Sequence, residues 1–163
     1  MGVAAAALSF LNDSTLPLFY FQSFHIAFGD EVDQFEGPVT VNISNPNKFR
    51  FRLVDGQYTI RHASRPVGGG VFSPVYLRAR GVSTAATSAY LYGISSPVRD
   101  ELVEGRDRGA VFDVEMQVKA RVGVWLIETK IKDFYVNCRL SVDRLSEDAK
   151  VNSSQCRSYY RKS

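Results

Sequence analysis

Few residues of this 163-residue chain have side chains that do chemistry: two histidines, two cysteines and an acidic run near residue 100. His25 stands in an aromatic stretch and His62 just after an alternating one. Neither has a Cys, His or carboxylate beside it at the spacing that builds a metal site. Asp100, Glu101, Glu104 and Asp107 carry enough oxygen for calcium or acid-base work. Arg99, Arg106 and Arg108 are interspersed among them, however, and that pattern belongs to a solvated helix and loop. Gly68-Gly69-Gly70 lacks the following Lys-Ser or Lys-Thr of a phosphate loop and reads as an irregular surface crossing. No serine sits in a glycine-flanked nucleophile elbow. The residues therefore point to no catalytic, cofactor-binding or metal site, and the expectation is a protein that is not an enzyme.

Cysteine and asparagine chemistry is more telling. Cys138 shares its phase with Phe134, Val136, Leu140 and Val142, which face inward, and Cys156 follows 18 residues later. A returning final strand would bring the two thiols together. In an oxidising compartment a bridge closing such a loop contributes about 3 kcal/mol, whereas in a reducing one both remain buried free thiols. Asn12, Asn42 and Asn152 each begin an Asn-x-Ser sequon, candidate glycosylation sites that lean toward the secretory route. Trp125, the only tryptophan, lies in Gly123-Val124-Trp125-Leu126, where a large aromatic beside a glycine at a strand bend is expected to fill the core or its rim.

The elements that must position these groups are strands. From residue 110 to 124, Phe112, Val114, Met116, Val118, Ala120, Val122 and Val124 alternate with Asp113, Glu115, Gln117, Lys119 and Arg121, and residues 134–143 repeat the pattern. A side-chain period of two with one apolar face means half-buried strands in an antiparallel sheet. Further strands are expected over residues 18–28, 39–44, 49–53, 57–61, 71–77 and 86–92. Asn45-Pro46-Asn47 makes a turn in which Pro46 holds Asn45 extended and Asn47 tolerates left-handed backbone. Asp55-Gly56 has the form of a two-residue type I′ hairpin. Ser96-Pro97, Val98 and Leu102 one turn apart, and Gly105 predict a single short helix.

A hydrophobic content of 45% with 12% aromatic residues fills one core, and a net charge of +3 with interleaved signs argues against nucleic acid. Residues 1–15 form an apolar N-terminal arm or the remnant of an anchor, since the apolar run 3–11 is about half of the ~20 residues a spanning helix needs. That run lacks the positive start of a signal peptide, and Ala6 stands where myristoylation wants Ser or Thr. Residues 16–160 form one domain. At its end Arg157, Arg161 and Lys162 surround Tyr159 and Tyr160, the composition of a solvated, frayed terminus.

The stretch from Val39 to Lys48 (VTVNISNPNK), the run from Val114 to Trp125, Val136-Asn137-Cys138, and Ala149-Lys150-Val151 ahead of Cys156 together carry a resemblance. In that order they resemble the group-2 late embryogenesis abundant domain of plants, shared by harpin-induced and non-race-specific disease resistance proteins, over residues 17–156. The resemblance implies an all-β fold, an antiparallel immunoglobulin- or fibronectin-like β-sandwich with one short helix. It also implies a plasma-membrane protein with the domain on the outer face, tied to defence and stress, with no cofactor and no catalytic residues. The spanning helix and basic stretch usual ahead of the domain are not in this sequence. The expected function is a non-enzymatic stress or defence module, acting at the plasma membrane through a protein partner or self-association. The alternative is a soluble cytoplasmic protein that limits damage during water loss.

Overall fold

The structure, a computed structural model, describes residues 16–25, 35–91, 96–129, 131–146 and 149–160. In chain order the elements are β1 (Leu18–Phe24), β2 (Phe35–Ser44), β3 (Arg50–His62), β4 (Arg65–Phe72), β5 (Val75–Leu77) and β6 (Val82–Leu91). Helix α1 (Ser96–Glu104), β7 (Ala110–Val124), β8 (Ile127–Glu128), β9 (Lys132–Val142) and β10 (Val151–Tyr160) follow. One antiparallel sheet joins all ten strands in the order β1-β2-β6-β4-β3-β7-β9-β10, with β5 on β3 and β8 on β7.

Twist accumulates over so many strands and rolls the sheet on itself. Its two ends meet at a seam: the Phe21 amide donates to Ser154 Oγ (3.0 Å) and Ser158 Oγ donates to the Pro17 carbonyl (2.7 Å). The expected two-layered sandwich is thus drawn out of one continuous sheet that is nearly closed like a barrel. Side chains, rather than a backbone ladder, join the last two edges. The inward residues behave as the alternation requires: Phe112, Val114, Met116, Val118, Ala120 and Val122 of β7 are buried with Phe134, Val136, Cys138 and Leu140 of β9. The expected helix is present, and Val98 and Leu102 on its inner face join the same core.

Three local expectations are corrected. Asp55-Gly56 is no hairpin: β3 runs through it, and a register shift between Leu53 and Asp55 against β7 marks a bulge. The apolar phase flips there, with Phe51 and Leu53 buried on one side and Tyr58 and Ile60 on the other. A bulge and a turn both produce such a flip. The glycine triplet is not a surface crossing either, because Gly68, Gly69 and Gly70 lie within β4 and pair with Ile60, Thr59 and Tyr58. A Cβ on Gly70 would stand 2.3 Å from Tyr58 Oη and 2.8 Å from the Ser88 carbonyl, so glycine is what lets the tyrosine lie across the strand. The C-terminal residues Tyr159 and Tyr160 are ordered in β10 rather than frayed, paired with Tyr135 and Phe134. The first strand ends at Phe24, and residues 26–28, expected to continue it, lie outside the described residues.

The true hairpin joins β3 to β4 through Ala63 and Ser64, both with left-handed backbone (φ 51° and 67°). Two positive φ angles are the signature of a type I′ turn, which prefers Asn-Gly. Changing Ala63→Asn together with Ser64→Gly should relieve the strain and raise stability by about 1 kcal/mol. The check is a thermal melt, in which the double variant unfolds a few degrees above the parent. The Asn45-Pro46-Asn47 turn forms as expected, but Asn47 does not take up the left-handed backbone it tolerates.

Candidate functional site

Outward-facing residues of neighbouring strands fall into register as rows. One row runs Val71, Gln57, Gln117, Tyr135, Tyr159 across β4, β3, β7, β9 and β10. The next runs Tyr90, Gly69, Thr59, Glu115, Asn137, beginning on β6. Where these rows lie side by side the surface sinks into an open groove of about 850 Å³. Gly69 and Gly70 supply no side chains to its floor, while Tyr90 and Val71 stand at one side and Tyr135 with Tyr159 at the other.

The far rim is built rigidly. Tyr135 and Tyr159 stack with ring centroids 5.7 Å apart and planes 25° from parallel, and Asn137 Nδ2 donates to Tyr159 Oη at 3.2 Å. Glu115 is held by Arg61 at 3.3 Å, which leaves the amides of Gln57 and Gln117 as the groove's uncharged donors and acceptors. Beneath them the Tyr58 phenol is pushed above its ordinary range by burial, offset in part by the Thr87 hydroxyl at 3.4 Å and reinforced by Tyr90. The groove's phenols offer flat apolar area with a polar edge, and its amides offer paired hydrogen bonds.

Sequence-derived candidates fall elsewhere. Cys138 and Cys156 face each other across β9 and β10 and are bonded. Asn42 stands on a central strand with its Oδ1 accepting from Thr84 Oγ1 at 3.0 Å, whereas Asn152 is exposed at the β10 bulge and Asn12 lies outside the described residues. His62 places Nδ1 3.0 Å from the Val111 carbonyl and its ring against Phe112, an anchored ring at the barrel wall. Asp100, Glu101, Glu104 and Asp107 are exposed, and among the described residues no His, Cys, Asp and Glu gather in groups that could hold a metal. Trp125 contradicts its expected place: it is 78% exposed at the tip of the β7–β8 hairpin, because it lies in the turn beyond the last β7–β8 pair, Val124 with Ile127. The groove residues escaped notice because outward tyrosines and glutamines look like any wet face until cross-strand register lines them up. Their one sequence signal is Tyr, Gln and Asn at outward positions that elsewhere carry Lys, Arg or Asp.

Architecture and site together define an antiparallel, nearly closed β-domain with an open, tyrosine-rimmed groove on its outer face. The chain belongs to the late embryogenesis abundant protein family, whose model matches residues 40–142, and this ties it to stress and desiccation. Among solved structures it is similar to a crystal structure of a protein from Archaeoglobus fulgidus (15% identity, 91% of this chain and 97% of that one, TM-score 0.37). It is also similar to the solution structure of an LEA-like Arabidopsis protein (14% identity, 87% and 82%, TM-score 0.43). A further solution structure, of an Arabidopsis thaliana protein, matches at 14% identity over 86% and 80%, with a TM-score of 0.41. Comparison with curated proteins gives no match. Among the described residues no helix is long and apolar enough to cross a membrane.

Proposed function

We propose that this protein is a non-enzymatic module of the stress and defence response that acts at the outer face of the plasma membrane. In this reading it grips a partner protein, or a second copy of itself, in the tyrosine-rimmed groove. The observation that carries the proposal is the groove's composition: Tyr90, Tyr135 and Tyr159 surround neutral amides, with Glu115 already neutralised by Arg61. Tyrosine gives large contact area at little entropic cost, and it is enriched where proteins meet proteins. An oxidising, extracellular setting is supported by the Cys138–Cys156 bond and by the exposed sequon at Asn152.

The test is to change Gln57→Arg and Gln117→Arg together and to compare the partners retained from stressed native tissue. Both side chains are exposed but stand opposite each other on β3 and β7, so the paired arginines should lower the melt by no more than a few degrees, while the specific partner is lost. Retention of the same partner at the same strength would overturn the groove. Thiol titration of protein taken from native tissue bears on the compartment. No free thiol agrees with the outer face, and two free thiols would favour the intracellular, desiccation-protective reading.

A further inference from the structure

We infer that the end of the barrel carrying Trp125 docks on the surface of an anionic lipid bilayer. The inference rests neither on the groove nor on the outer-face placement: anionic lipid lies chiefly in the cytoplasmic leaflet, so such docking suits the intracellular reading. It starts from a residue that neither packing nor turn geometry explains. Trp125 and Leu126 form the two-residue turn between Val124 and Ile127, and they are 78% and 92% exposed. Trp125 alone of the pair has left-handed backbone (φ 59°), at the first turn position, where a type II′ hairpin favours glycine. The fold therefore holds its bulkiest side chain in water on a backbone that bulky residues avoid. The stem below is firm, with Thr129 exchanging two hydrogen bonds with Val122: its Oγ1 accepts from the Val122 amide (3.0 Å), and its own amide donates to the Val122 carbonyl (2.9 Å).

What surrounds this tip is positive. The β2–β3 turn brings Lys48 and Arg50, and the Arg50 side chain lies over Gly123 at the base of the hairpin. The β5–β6 turn, tied to the β2–β3 turn by the Arg80 amide and the Asn47 carbonyl at 2.9 Å, adds Arg78 and Arg80, and Lys132 opens β9. The ion pairs of the described residues engage Arg52, Arg61, His62, Arg139 and Arg144, and none of these five bases. Of the acidic residues described here, Glu128 is already held by Arg52 at 3.3 Å, and Asp133, which follows Lys132, stands opposite Lys119 on the β7–β9 ladder. At the opposite end, around α1, acidic and basic residues alternate instead. β1 begins here too, with Leu18 opposite Ser44.

An apolar tip containing tryptophan, ringed by unneutralised lysine and arginine, matches the interfacial layer of a negatively charged membrane. The indole settles among the headgroups and the bases meet the anionic surface. A protein partner is less well matched, because the tip projects two side chains with no concave surface around them.

The experiment uses the full chain with vesicles of phosphatidylcholine, alone or mixed with phosphatidylserine. Expected is sedimentation with the mixed vesicles, together with a blue shift of the single-tryptophan emission. Trp125→Gly should melt no lower than the parent, since it relaxes the turn, yet bind the mixed vesicles at least about tenfold more weakly. Lys48→Glu with Arg80→Glu should remove the preference for phosphatidylserine. Unchanged binding of Trp125→Gly, or an unshifted emission on vesicles, would overturn the docking, as would a response to soluble phosphoserine equal to that on vesicles. Because purified components are used, such a failure leaves the groove and its partner untouched.

Discussion

Asn45→Ala is expected to lower the melting temperature by about 10 °C, the largest loss from any single amide in the domain. Asn45 is 1% exposed, and its side chain binds together three pieces of chain. Nδ2 donates to the carbonyls of Phe49 (2.8 Å), Arg78 (3.0 Å) and Leu77 (3.4 Å), while Oδ1 accepts from the Asn47 backbone amide (3.1 Å) and from Asn47 Nδ2 (3.0 Å). Alanine removes the donor from one buried and two part-buried carbonyls and the acceptor from Asn47, at a cost on the order of 1–3 kcal/mol for the buried bond and less for the others. Pro46 fixes the approach but supplies none of these bonds. Asn45→Asp should be worse than alanine near neutral pH, because it keeps the acceptor and turns the donor into an oxygen facing three oxygens. Burial raises the carboxyl's pKa, so that variant should regain stability as the pH falls and the group protonates to become a donor again. Melts of the two variants across pH check both statements, and equal stability of parent and Asn45→Ala would remove Asn45 from its role as a clamp.

Removing the disulfide is the second large effect. Cys138→Ala with Cys156→Ala should destabilise the domain by about 3 kcal/mol, which for a chain of this size lowers the melting temperature by roughly 10 °C. The local consequence is sharper than the global one. β10 offers the core little apolar surface: only Val151 and Cys156 of its ten residues pack against it. Its hold on the barrel therefore rests on the β9 ladder, the covalent bond and the side-chain hydrogen bonds of Ser154 and Ser158 across the seam. Without the bridge, amide exchange should speed up first in β10 and at the Phe21 amide, which donates to Ser154, before it changes in β7. Uniform acceleration across all strands would show that the bond acts only through the unfolded chain. The groove should loosen in step, because Tyr159 is one half of its stacked rim.

β7 and β9 were readable because alternation is a local property. Each residue's face is set by its neighbours two away, and the apolar set Phe112 to Val122 leaves one choice of face. The helix was readable from Ser96-Pro97 and Gly105, whose backbone preferences act within one turn. The turns were not. Asp55-Gly56 has the chemistry of a hairpin and lies in a bulge, while the two-residue hairpins described are built from Ala63-Ser64 and Trp125-Leu126, in which Ala63, Ser64 and Trp125 take a backbone such residues avoid. There, long-range strand pairing outweighs a local preference of 1–2 kcal/mol per residue. Trp125 was misplaced for the same reason: burial was inferred from its type, and its exposure follows from where the β7–β8 pairing ends.

From sequence alone came the antiparallel all-β class, the inward phase of Cys138, the Asn-Pro-Asn turn and the family likeness, each carried by residues a few positions apart. Tertiary structure decided the rest. It rolled one sheet until Pro17 met Ser158, aligned Gln57, Gln117 and Tyr159 into a groove, and gathered Lys48, Arg80 and Trp125 at one end. The difference is one of range. A strand's two faces are encoded in its own alternation, but what lies beside a residue across the sheet depends on register between strands far apart in the chain, and no single segment carries that information.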